Sequence, residues 1–196
     1  MVAFAGEKLN KTHGKPTQAK PKAITWEVFQ NRYLSREDGY TYEWVKGEVI
    51  KTKRSMDYKQ MFIVKNLTKF FYNLVLKGIV EGYLTNEVDT FFGGSHRRPD
   101  ICYLTEAQME GTKFDIIPVP AFVIEVISNN DKMKRAQEKL LDYWKADVQV
   151  IWHIFPDLEM VHVYHGKNMT VYMGDEICSA APILPDFAMP VSDIFK

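Results

Sequence analysis

The sequence predicts an α/β (α+β) fold, a mixed and curved β-sheet flanked by helices. Three observations carry that expectation. Two long amphipathic stretches, 58–76 and 132–147, have helical spacing. Short apolar runs at 82–92, 98–104 and 121–128 lie between them, and more follow at 149–173. The run 121–128 is apolar at nearly every position, as expected of a strand buried on both faces. The chain has 196 residues, 46% hydrophobic and 26% charged, the balance of a globular protein with a substantial core. That excludes wholesale disorder, collagen-like repeats and a disulfide scaffold. The 25 basic residues match the 25 acidic ones, so a strongly basic coat is excluded but a local basic patch is not.

The elements follow in order. Residues 1–22 read as a flexible basic tail, with Lys8, Lys11, Lys15, Lys20 and Lys22 against Glu7. A single domain is expected over 23–196. Thr25 can cap a helix that carries Trp26, Phe29 and Tyr33 on one face. Residues 42–52 read as a hairpin turning at Lys46-Gly47. The helix 58–76 has the stripe Met61, Val64, Leu67, Phe71 and Leu74, and Gly78 ends it. The strands 159–165 and 168–173 turn at His165-Gly166-Lys167, and the proline-bearing closing segment reads as mostly irregular. No apolar run approaches the roughly 20 residues that span a bilayer. Glu7 interrupts the short apolar start, so no secretory signal is expected. Cys102 and Cys178 form no paired motif, and the expected setting is reduced and cytoplasmic.

Glu125 is the most informative residue. It lies in the middle of the apolar strand AFVIEVIS, between Val123 and Ile127 on one face. An ionised carboxylate there costs several kcal/mol unless it is compensated. It is either paired with a buried Arg or Lys, or it serves as a metal ligand or acid–base group. Asp100 follows Pro99 at the start of another apolar strand. Two carboxylates on neighbouring strands can hold one divalent cation through hard oxygen donors. Upstream, His96, Arg97 and Arg98 form a basic loop that either is simply solvated or attracts a phosphate. In the helix DKMKRAQEKLLDYW, the buried stripe is Met133, Ala136, Leu140, Tyr143 and Trp144. Lys132 and Lys139 border that stripe, so Lys139 can snorkel toward Glu125 or remain an ordinary amphipathic lysine.

Taken together, these motifs resemble the PD-(D/E)XK nuclease superfamily. More closely they resemble its bacterial family of restriction-endonuclease-like proteins. The residues that carry the likeness are Tyr42-Glu43, Gly47-Glu48, Pro99-Asp100, Glu125-Val126-Ile127-Ser128, and Lys139 with Tyr143. It covers roughly residues 24–196. The resemblance implies a restriction-endonuclease-like fold and hydrolysis of DNA phosphodiester bonds with Mg²⁺ or Mn²⁺. Asp100, Glu125 and the backbone carbonyl of Val126 are the implied metal ligands. Ile127 stands where the superfamily usually has its lysine, and the closer family's pattern places that role on Lys139. Glu48 is the first choice for a further acid, with Glu43 competing for it. Arg97, Arg98, Lys132 and Arg135 are the expected backbone contacts, and a homodimer is the expected assembly.

Two alternatives stay open. A nuclease-fold protein without cutting activity would act as a nucleic-acid-binding or interaction module. The displaced lysine and the absence of a His in Met56-Asp57-Tyr58-Lys59 favour it. A hydrolase of phosphorylated small molecules would instead have a narrow closed pocket. Other chemistries fail on spacing: His162 and His165 face opposite sides of a strand, and Gly93-Gly94 lacks the Lys-Ser/Thr of a phosphate loop.

Overall fold

The computed structural model describes residues 23–54, 58–128 and 130–196, with backbone alone for 130–132. The expected tail lies outside the described residues. Thr25 caps α1 (Trp26–Phe29) through a bond from the Val28 amide, and a π-helical turn, Gln30–Leu34, continues it. The hairpin is β1 (Tyr40–Val45) and β2 (Glu48–Lys53). Its two turn residues, Lys46 and Gly47, both have positive φ, the geometry that matches the twist of a two-residue hairpin. With β4 (Thr90–Phe92) and β5 (Ser95–Arg97), the hairpin forms a four-stranded sheet ordered β2-β1-β5-β4.

The central sheet has six strands. To β3 (Tyr83–Asn86), β6 (Ile101–Leu104) and β7 (Phe122–Val126) it adds β8 (Val150–Phe155), β9 (Met160–His165) and β10 (Asn168–Met173). Their order is β10-β9-β8-β7-β6-β3. Only β7 and β8 run parallel, and α4 (Asn130–Lys145) makes the crossover between them. Alternation along β7 sorts its side chains. Phe122, Ile124 and Val126 enter a core built with Ile63, Leu67 and Phe71 of α2 (Tyr58–Leu76). Val123 and Ile127 pack on the other side, with Leu140, Tyr143 and Ala136 of α4.

The mixed sheet and flanking helices match the expected class, with local differences. The run 82–92 is not one strand. It breaks at Glu87, which has positive φ, and separates into β3 of one sheet and β4 of the other. In α2 the inward positions are Gln60, Ile63, Leu67, Phe71 and Leu74, whereas Met61 is 52% exposed. The stripe differs from the expected one at its first turn, where the polar Gln60 and not the apolar Met61 faces inward. The helix α3 (Glu106–Thr112) was not expected, although Thr105 and Gln108 form a capping box. The closing segment is not irregular. It forms β11 (Ile177–Ala180), β12 (Leu184–Pro190) and α5 (Val191–Ile194), and buries Phe187, Val191 and Ile194 in the first core. Pro185 and Pro190 lie on a two-stranded ribbon, where missing donors are tolerated, and Pro182 lies in the turn that joins its strands.

Candidate active site

The site forms where β6 and β7 emerge side by side. Their register pairs Ile101 with Ile124, which brings Asp100 next to Glu125. Asp100 is fixed in place: its Oδ2 accepts a bond from the Val126 amide at 2.7 Å. Glu125 is 5% exposed and points toward α4. Lys139, one helical turn before Tyr143, reaches it from that helix. The ammonium donates to Glu125 Oε1 and Oε2, both at 3.0 Å, and to the Arg98 carbonyl at 2.7 Å. The Tyr143 hydroxyl donates to Glu125 Oε1.

Glu43 enters from β1. Its Oε1 accepts from the Arg98 amide at 2.9 Å and lies 3.4 Å from Lys139 Nζ. Its Oε2 accepts from Arg97 Nη1 at 3.3 Å. One lysine is therefore shared by two buried carboxylates. A cavity of about 130 Å³ opens here, lined among others by Glu43, Arg98, Asp100, Glu125, Arg135 and Lys139.

The electrostatics follow from burial and from this sharing. Burial pushes the Glu125 carboxyl up to about 7; Asp100 and Glu43 add to the rise, and Lys139 and Tyr143 oppose it. Burial also works against ionised Glu43, but Lys139, Arg97 and the Arg98 amide outweigh it and hold that carboxyl below its ordinary value. Burial disfavours the charged Lys139, yet Glu125, Glu43 and Asp100 keep it protonated. Two carboxylates with diverging proton affinities beside one fixed cation are a recurrent sign of an active site.

Of the residues singled out in the sequence, Asp100, Glu125, Val126 and Lys139 come together. Glu48 does not join them. It is exposed and pairs with Val45 beside the hairpin turn, while Glu43, two residues further from that turn, is the acid that reaches Lys139. The turn at Lys46-Gly47 was the available signal, since it already put Glu48 at the tip. Arg97 is not a surface contact. It is 2% exposed and donates to Asp142 from Nε at 3.0 Å and from Nη2 at 2.8 Å. β5 is buried along its whole length, and Asp142 of α4 and Glu43 neutralise Arg97 there. Arg98 lines the cavity but is paired with Asp89, which also bonds His96 at 2.8 Å and whose carboxyl is lowered to about 2. Arg135 lines the cavity too and donates to Thr52 Oγ1 at 2.7 Å. The Lys132 side chain lies outside the described residues. Asp89 and Asp142 had no distinguishing sequence signal, because their roles depend on cross-element pairing.

Among the described residues, no group of three or more His, Cys, Asp or Glu side chains forms a ready metal cage. The donor set still suits Mg²⁺ or Mn²⁺. Such hard ions are commonly held by one or two carboxylates, with water and substrate phosphate completing the shell. Asp100 and Glu125 supply two carboxylates beside an open cavity. No helix among the described residues is long and apolar enough to cross a membrane.

Comparison with known proteins bears on the family and the fold. No curated protein matches the chain. Among solved structures, the chain is similar to one from Anabaena variabilis ATCC 29413, described as a "putative nuclease belonging to DUF820". The TM-score is 0.75 at 21% identity, covering 88% of this chain and 97% of that one, which shows a shared fold. Residues 26–192 match the family model Uma2, "Putative restriction endonuclease". That match takes in all three sheets, α4 and every residue of the cavity, so the chain belongs to the Uma2 family of restriction-endonuclease-like proteins.

Proposed function

We propose that this protein is a metal-dependent endonuclease that hydrolyses DNA phosphodiester bonds. The observation that supports it best is the pairing of Asp100 and Glu125 on adjacent strands, with Lys139 bonded to the latter. A buried Glu kept only for packing would not need a second acid beside it at the rim of a cavity. Asp100, Glu125 and the Val126 carbonyl, which lies on the Asp100 side of β7 like its amide, would hold Mg²⁺ or Mn²⁺. When bound, such an ion polarises a phosphoryl oxygen and acidifies a coordinated water.

The chain's own residues do the remainder. Lys139 places a fixed positive charge at the site, where negative charge on the phosphorane-like centre would otherwise be uncompensated. Glu43 anchors Lys139 and the Arg98 amide, and so holds the turn before Asp100. Arg98 and Arg135 line the cavity and provide cationic walls for the backbone on either side of the scissile phosphate. Both are pinned by neighbours, to Asp89 and Thr52, so they are oriented before substrate arrives.

Assembly as a homodimer belongs to the same proposal. The edge strand β10 carries no charged residue and exposes Met169, Val171 and Met173 on one face. Such an unprotected edge suits pairing with a second copy. Sedimentation at several concentrations checks this, and a monomer at every concentration would remove it.

The function is tested with labelled single-stranded DNA, duplex DNA and RNA in Mn²⁺, using wild type, Asp100→Asn and Lys139→Ala. Internal cleavage of DNA by wild type, lost in both variants, is the expected result. Intact nucleic acid in every lane with wild type still retarded on a native gel would favour a binding module instead. Cleavage of RNA alone would correct the substrate.

A further inference from the structure

Tyr143 is fully buried and has no role in the reading above. Its ring packs edge-to-face on Phe92, with centroids 4.8 Å apart, so packing aims the hydroxyl. That hydroxyl donates to Glu125 Oε1. Lys139 and Tyr143 are four residues apart on α4, and both reach the same carboxylate because such positions share a helix face.

The two donors do different things. Lys139 Nζ is equidistant from Oε1 and Oε2, at 3.0 Å from each, and so does not distinguish them. Tyr143 does. A carboxylate oxygen accepts about two bonds. Oε1 receives one from Lys139 and one from Tyr143, and is filled. Among the described residues Oε2 receives one, from Lys139, which leaves it an acceptor position. The carboxylate is thereby fixed in rotation, with one oxygen committed to the protein and the other available.

We infer that Tyr143 is a positioning residue, which commits Glu125 Oε1 and reserves Oε2 for the divalent cation. This rests on the metal-site reading under the proposed function. It goes further by assigning a task to a residue outside the ligand set. Partners of this kind fix a ligand's orientation, and their loss typically weakens metal affinity about 10- to 100-fold.

The test is Mn²⁺ binding by calorimetry to the full chain, for wild type, Tyr143→Phe and Glu125→Ala, with cleavage rates alongside. Phe keeps the ring against Phe92 and removes only the oxygen, so the fold is retained. Tyr143→Phe is expected to bind Mn²⁺ about tenfold more weakly. Its cleavage rate at saturating Mn²⁺ should stay within about threefold of wild type, because Glu125 still ligates once the ion is in place. A merely structural role would lower the melting temperature without separating metal affinity from the saturated rate.

Equal Mn²⁺ affinity in Tyr143→Phe and wild type, with Glu125→Ala not binding, overturns this inference alone. No binding by wild type, or equal binding by Glu125→Ala, overturns the metal-site reading and this inference with it.

Discussion

Replacing Glu125 with Gln should make the metal-free protein more stable at pH 8. The folded carboxyl is raised from 4.5 to about 7, chiefly by burial. The sign follows from linkage. A carboxyl with a raised folded pKa is bound to its proton more tightly in the native state. Its contribution is fully present below pH 4.5 and is lost as pH rises toward about 7. Above that, the native state carries an ionised, desolvated group at a cost of about 3 kcal/mol, at 1.36 kcal/mol for each pH unit between the two values. Gln resembles the protonated acid and avoids this cost. The value of about 7 already includes the attraction of Lys139 and the Tyr143 bond, so the cost is net of both. The expected gain is therefore about 3 kcal/mol at pH 8, and none at pH 4. Urea unfolding in EDTA at the two pH values, for wild type and Glu125→Gln, measures it. A variant less stable than wild type at pH 8 by 1 kcal/mol or more would refute the reasoning. Glu125 would then be an ordinary stabilising ion-pair partner of Lys139, not a carboxylate held at a cost.

Three further outcomes are expected. Arg97→Ala leaves Asp142 buried without its cation and Glu43 with Lys139 alone, which should cost about 3 kcal/mol and lower the melting temperature by roughly 10 °C. Its DNA affinity at permissive temperature should stay near wild type, since Arg97 does not reach the surface. Burial lowers His153 to about 3, so its contribution to stability is whole above pH 6.5 and is lost as pH falls toward 3. His153→Phe should therefore flatten the acid limb of a stability–pH profile by up to about 1.4 kcal/mol per pH unit, measured by urea unfolding. Arg135→Ala should weaken DNA binding uniformly across sequences and reduce the salt slope of log K by about 1, measured by fluorescence anisotropy.

The parts of this fold that could be read from sequence are those where local pattern and tertiary environment agree. The hairpin at Lys46-Gly47, β7, and β8 through β10 each carried their own period and turn chemistry. The closing strands β11 and β12 did not, because their prolines resemble loop and their apolar residues gain meaning only against α2. In the site, Glu125 announced itself as a charge in an apolar strand, and Asp100 by its place at a strand start. Lys139 was reachable from helical spacing. Arg97 misled because His96, Arg97 and Arg98 look alike as a basic run. His96 and Arg97 are both buried in β5, and Arg98, just past its end, lines the cavity. Glu43 and Glu48 differ only in distance from the turn, a matter of register and not of residue type. Asp89 and Asp142 pair with arginines that are distant or differently oriented in sequence, and no local pattern marks such pairs.

The central claim is that Asp100 and Glu125 build a metal-dependent nuclease site. Cleavage of a supercoiled plasmid by purified protein in Mg²⁺ or Mn²⁺, set against EDTA and against Glu125→Ala, tests it most directly. Nicked or linear product that disappears in both controls is the expected result. Product that persists in Glu125→Ala, or no product in either metal from a folded protein, would contradict the claim.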